Sequence, residues 1–434
     1  MRETFNKTKR LLLFALPVIA GDILQQLYNT ADSIIVGRFC GENSLAAIGV
    51  AGPVMSLVVF FVFGIGIGMT VLLSRAYGEG NIKKLREVES TALIAGCAFT
   101  VLLSVALVLL TRPILVLCRT PEKIMDEAAA YLIVIFIGMI FTFLYNFYSA
   151  LFMAIGKSHI PFFILLISSA TNVVLDILFV SNFKMGITGA AIATVISQAV
   201  SVLFSFIMVR FKDKELYFTA KEFTFKPALL KEIISFSGAS ALQQTVLYIG
   251  KLLVQGGVNT LGIPVIAGFN AASKIENFII APLNGVSSAM SSTMAREGKK
   301  DEQKKSCIAG LIISLTYSVV ISAAIFLTAA YIVPLFIKEP SREMIESGVG
   351  YLKIMSIAYL FVPISIIMQG LFRGTGNIKM TIISTAMQIS IRVGVTYLLL
   401  QSCGLNAVVI GTFVGWAEMT VFGIWQARKY FKNT

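Results

Sequence analysis

The sequence predicts an all-α polytopic membrane protein of twelve transmembrane helices, built as two six-helix bundles related by a pseudo-two-fold axis along the membrane normal. Three observations carry that expectation. Of 434 residues, 56% are hydrophobic and only 14% are charged, against about 25% charged in a soluble domain. Mean hydropathy is +0.83, and apolar runs long enough to cross a bilayer recur from end to end. The second half also repeats the first at a shift of about 220 residues, as transporters with parallel repeats do.

The first span, 11–36, follows the basic stretch MRETFNKTKR and holds Pro17, Asp22 and Asp32. No small-residue cleavage site comes after it, so it reads as a span and not as a cleaved signal peptide. Pro17 predicts a kink or a bend. Spans 45–73, 90–111 and 128–156 contain no Asp, Glu, Lys or Arg. The fifth, 160–183, holds Asn172 and Asp176; the sixth, 185–209, is free of charge and carries Thr194. The basic segment 210–232 is the longest loop. Spans 233–263 and 264–295 follow, divided only by NTLGIPV, whose Gly and Pro predict a short turn. The last four are 306–337, 347–372, 380–402 and 403–427. The expected domains are therefore an N-terminal lobe, 1–209, a linker, 210–232, and a C-terminal lobe, 233–434.

The net charge of +13 is distributed by side. With the N-terminus in the cytoplasm, cytoplasmic segments hold 25 lysines and arginines, external segments 7, and the spans 4. This positive-inside bias places both termini in the cytoplasm and makes the basic excess a topology signal instead of a nucleic-acid patch. The five cysteines are scattered without a CxxC pair, so neither a disulfide framework nor a zinc site is expected. No GxxxxGK[ST] loop occurs, so no nucleotide is expected. GIGIG (64–68) lies within a span, where glycines serve close helix packing. His159, the single histidine, has no Cys or acidic companions. No constellation for catalysis remains, and the chain is not expected to be an enzyme or to hold a cofactor.

The repeat is visible in LFMAIGKS (151–158) against LFRGTGNI (371–378), and in MGITGAAIATVIS (185–197) against CGLNAVVIGTFVG (403–415). Six spans per half make the repeats parallel. Two such bundles usually enclose a cavity and rock about it, which points to a transporter.

Asn172 and Asp176, four residues apart, share one helix face. Alone, Asp176 could simply reach the interface near Ser181 and Asn182. Asp32 changes that reading, because alternation of sides brings it to the same membrane end, and Thr194 on the sixth span lies at similar depth. Two carboxylates, a carboxamide and a hydroxyl form an all-oxygen set suited to a hard monovalent cation such as Na⁺, or to a proton shared between carboxylates. In the second half the corresponding positions read Arg392 for Asn172 and Thr396 for Asp176, and Asp32 falls beside Lys251. Ion coupling is therefore expected in the N-terminal lobe. Glu276 and Glu418 are candidate partners for the second-half bases. Asp22 has two readings, a lobe-interface polar group or a second relay site. Tyr28, Met55, Phe60, Tyr145, Gln198, Gln244, Glu276 and Phe278 lie at a depth suited to lining a substrate pocket.

YNTADSIIVGRFCGENSLAAIG (28–49), SRAYGEGN (74–81), NVVLDILF (172–179), GAAIATVISQ (189–198) and LFRGTGN (371–377) together resemble the multidrug and toxic compound extrusion (MATE) family over essentially the whole chain. In that family an N-lobe cation site uses an aspartate of the first helix, an Asn-x-x-x-Asp of the fifth and a threonine of the sixth, which here are Asp32, Asn172, Asp176 and Thr194. The resemblance implies efflux of organic cations and amphipathic drugs in exchange for Na⁺ or H⁺. It implies no nucleotide or nucleic acid, and a monomer in a bacterial inner membrane. Two features depart from the pattern. Lys251 and Lys353 occupy spans in which some branches carry acids, and Arg75 stands where relatives often have Gln. A flippase for a lipid-linked precursor is the alternative, since such proteins share this fold. A pyrophosphate cavity calls for many bases, however, and the spans offer only Lys251, Lys274, Lys353 and Arg392.

Overall fold

Apolar sequence in a membrane must satisfy its own backbone hydrogen bonds, and a helix does so within one segment. The computed structural model describes residues 2–211, 223–337 and 340–432; linker residues 212–222 lie outside the described part. In chain order the helices are α1 (Arg2–Phe39), α2 (Glu42–Gly78), α3 (Ile82–Leu117), α4 (Glu122–Ala154), α5 (His159–Asp176), α6 (Gly186–Phe211), α7 (Pro227–Val258), α8 (Ile263–Glu297), α9 (Lys300–Ile332), α10 (Arg342–Ala358), α11 (Val362–Gly374), α12 (Ile378–Cys403) and α13 (Asn406–Lys432). Among the described residues, nine helical spans are long and apolar enough to cross a membrane, and α10 with α11 makes a tenth. The charged helices α7 and α8, 32 and 35 residues long, complete the twelve.

Two spans depart from a continuous helix. The predicted span 347–372 is broken between α10 and α11 by a bend of 59°. Pro363 sits in the first turn of α11, where its missing N–H costs nothing; farther inside a helix it would break the ladder. In the fifth span, α5 ends at Asp176 and continues as a π-helical segment, Ile177–Asn182. There the Phe183 N–H reaches back five residues to the Leu178 carbonyl at 2.9 Å. Such wide turns shift the side chains that follow and recur at functional sites. The NTLGIPV turn forms as expected, with Gly262 at φ 97° and Pro264 opening α8.

The chain divides into two compact units, Ala20–Ala241 and a second made of Leu242–Thr434 with the α1 residues up to Ile19. Both divisions fall inside helices, close after Pro17 in α1 and midway along α7. The first unit is organised on α4, whose Leu132, Phe136, Phe143, Phe147, Leu151 and Phe152 are fully buried. Gly64 and Gly68 let α2 meet the start of α7: a Cβ on Gly68 would stand 2.4 Å from the Phe236 carbonyl oxygen. In the second unit Leu11 and Ala15 of α1 pack with Val286, Met290, Ile367 and Leu371. Lys7 binds Glu297 and also Glu302, the latter at 2.8 Å. These contacts explain why the first turns of α1 belong with the C-terminal helices.

Candidate functional site

Two helices of the Ala20–Ala241 unit, α1 and α5, bring the predicted aspartates together. Asp32 lies in the last third of α1. Asn172 and Asp176 lie one turn apart at the end of α5, directly before the π-helical segment. Asp176 is 0% and Asn172 1% exposed. The Asp32 and Asp176 carboxyl groups come within hydrogen-bond reach of each other. Neither oxygen of Asp176, neither polar atom of the Asn172 carboxamide, nor Oδ1 of Asp32 has a hydrogen-bond partner. A buried polar group without a partner is costly, and two adjoining carboxylates repel as well. A proton shared by the pair, or a small cation held by both, removes the repulsion and gives the idle oxygens a partner. The donor set is all oxygen and fits a hard monovalent cation or a proton.

Thr194 lies on α6, with its hydroxyl donating to the Ala190 carbonyl at 3.0 Å. That bond uses its hydrogen and leaves oxygen lone pairs. Around the aspartates stand tyrosines. Tyr28 on α1 and Tyr131 on α4 are both within electrostatic reach of Asp32 and Asp176. Tyr131 is a residue that sequence reading missed, although its depth near the outer end of the fourth span was the available signal. Its hydroxyl donates to the Met55 sulfur at 3.1 Å, so Met55 and Tyr28 gather beside the Asp32–Asp176 pair. Tyr145 is one turn from Ser149, to which it hydrogen-bonds, and within electrostatic reach of Asp22. Gln198 accepts a hydrogen bond from Thr142, and Phe60 is half-buried on α2.

The remaining pocket candidates belong to the other unit. Gln244 and Phe278 are half-buried. Its neighbour Gln243 is the one that enters the core, donating to Gln369 at 2.7 Å and to Thr385 at 3.1 Å. Glu276 accepts a hydrogen bond from Tyr351 at 3.2 Å and lies within electrostatic reach of Arg392 and Lys251. Its direct partner is thus a phenol and not one of the bases. Both carboxylate oxygens of Glu418 lack a partner. All five cysteines are free thiols.

Comparison with known proteins follows the same lines. The MatE family profile matches residues 17–178 and 239–398, most of the chain. The probable multidrug resistance protein YpnP of Bacillus subtilis (strain 168) is 27% identical over 375 residues, 86% of this chain and 83% of that protein. The probable multidrug resistance protein NorM of Thermotoga maritima is 25% identical over 423 residues, 95% and 90% of the two chains. A solved outward-facing conformation of a multidrug resistance MATE family transporter of the MOP superfamily superposes with a TM-score of 0.93 at 23% identity, covering 98% of this chain and 96% of that one.

Proposed function

Because the chain belongs to the MatE family, whose members are transporters and not enzymes, we propose that it is a secondary active multidrug exporter. It moves organic cations and amphipathic drugs out of the cytoplasm by antiport with H⁺ or Na⁺. The observation that carries this reading is the facing pair Asp32 and Asp176, buried together without a counter-charge. Asn172 and Thr194 supply the remaining oxygens. A cation or proton stabilises the pair in one state of the cycle, and its departure raises the energy of the emptied site, which links ion movement to drug movement. Within the Ala20–Ala241 unit Tyr28, Met55, Phe60, Tyr145 and Gln198, and within the other unit Gln244, Glu276 and Phe278, are the proposed drug-contact residues. The protein works as a monomer in a bacterial plasma membrane, and the distribution of lysine and arginine supports cytoplasmic termini.

Energetics set the stoichiometry. Exchange of one monovalent ion for one monovalent drug moves no net charge, so the membrane potential does no work on it. A tenfold ion gradient then supplies only about 1.4 kcal/mol, enough to concentrate a drug about tenfold. Stronger export needs more than one ion per drug, or a proton on each of Asp32 and Asp176. The test is transport by the purified chain in liposomes, supplied in parallel with ethidium and with a fluorescent lipid-linked sugar. Gradient-driven ethidium movement supports the reading; movement of the lipid alone replaces it with a flippase.

A further inference from the structure

We propose that Glu89 on α3 is a second ion-handling carboxylate of the Ala20–Ala241 unit, a proton carrier between the Asp32–Asp176 site and the cytoplasm. The proposal rests on the reading of that site given above and adds a residue, an ion and an exit route to it.

Glu89 is 2% exposed, and its Oε2 is buried without a hydrogen-bond partner. It lies about two turns inside the start of α3, at the membrane end opposite to Asp32 and Asp176 by alternation of the helices. Among the described residues, groups near it come from α3, α4 and the segment before α7. On its own helix, Arg86 is the one cation within electrostatic reach. From α4 comes Tyr148, which also senses Cys97. The segment before α7 fills the adjoining positions: Ser90 donates to the Thr224 carbonyl at 2.6 Å, Thr91 accepts from the Lys226 N–H at 3.1 Å, and the Lys226 ammonium pairs with Glu87 at 3.2 Å. With those hydroxyls engaged, one carboxylate and one phenol are too few oxygens to replace the hydration shell of a metal cation. A proton needs one.

Packing fixes this placement. A Cβ on Gly96 would stand 2.0 Å from the Phe143 ring, so α3 and α4 touch there. Glu89 is two turns before Gly96 on the same face of α3, and Tyr148 of the antiparallel α4 lies within electrostatic reach of it. α4 then serves three acidic positions in succession. Tyr131 stands by Asp32 and Asp176, Tyr145 is within electrostatic reach of Tyr28 and Asp22, and Tyr148 of Glu89. Asp22 takes the relay role among its two readings. The Glu89 carboxylate accepts a proton passed down through Asp22 and water, becomes the neutral acid, and returns to carboxylate by releasing the proton to cytoplasmic water. Only O–H bonds form and break.

The experiment uses the full chain in liposomes with an imposed pH gradient and ethidium as the drug. Glu89→Gln should slow proton-driven ethidium antiport about tenfold or more. Ethidium affinity and gradient-free ethidium exchange should stay at wild-type levels. Glu89→Asp should transport but with a shifted dependence on cytoplasmic-face pH, and Tyr148→Phe should be slowed less. Wild-type antiport with a wild-type pH profile in Glu89→Gln overturns the proposal. So does loss of ethidium affinity in that variant, which would mark Glu89 as a packing residue. If Glu89→Gln does not assemble, an unshifted profile in Glu89→Asp overturns it. Wild type driven by Na⁺ alone overturns the proton assignment and leaves the Asp32–Asp176 site standing, whereas normal pumping by Asp32→Asn and Asp176→Asn overturns the site on which both depend.

Discussion

The carboxyl groups of Asp32 on α1 and Asp176 on α5 face each other within hydrogen-bond reach, and Asp176 has no other partner. Stability gains nothing from such a pair, and on the proposed reading the arrangement serves an exchangeable ion. The consequences can be measured separately.

Replacing either aspartate by asparagine puts an N–H donor against the remaining carboxylate and removes the repulsion. Asp176→Asn should melt at or above the wild-type temperature, with a gain of about 1 kcal/mol. A melting temperature lowered as far as that of a core cavity variant would show that Asp176 is structural.

Thr194 keeps its oxygen lone pairs available because its hydrogen is committed to Ala190. On the proposed reading, Thr194→Val removes one ligand from a metal-cation site but none from a proton shared by two carboxylates. Na⁺-driven efflux should fall in this variant, and proton-driven efflux should not. Equal loss under both gradients would place Thr194 outside the ion's coordination.

Gly68 meets the α7 backbone with no room for a side chain. Gly68→Val should destabilise the Ala20–Ala241 unit by about 1–3 kcal/mol, read as a lower melting temperature of the purified protein. A variant as stable as wild type would contradict this contact between α2 and α7.

Cys40 and Cys118 test orientation. Cys118 is exposed at the end of α3; Cys40 is half-buried before α2. Burial pushes the Cys40 thiol up, and the charges of Glu127 and Asp32 add to the effect. Fewer Cys40 thiolates are therefore present at neutral pH than at an open site, and the fraction grows as pH rises. A membrane-impermeant maleimide added to intact cells should label Cys118 first, and Cys40 increasingly between about pH 7 and 9. Labelling only in inverted vesicles would reverse the topology.

Much of this was legible in the sequence because membrane spans are long, apolar and strongly periodic. Alternation of sides alone puts Asp32 and Asp176 at the same membrane end. Features that depend on packing were not legible. The 59° bend lies in an apolar run that reads as one helix, and Pro363 falls where a helix tolerates it. The π-helical turn after Asp176 leaves no mark in residue type. Glu276 has bases nearby, yet its direct hydrogen bond comes from Tyr351, because rotamer and helix phase decide which neighbour reaches it. Likewise Gln243, and not Gln244, turns into the core, a difference of one residue in helix phase.

The central claim is that Asp32 and Asp176 jointly hold the coupling ion. Its most direct test is ethidium efflux from energised vesicles for wild type, Asp32→Asn and Asp176→Asn, with Na⁺ and pH gradients imposed separately. Both variants should insert at wild-type levels and fail to pump, and the gradient that drives wild type identifies the ion. Efflux at the wild-type rate in both variants would contradict it.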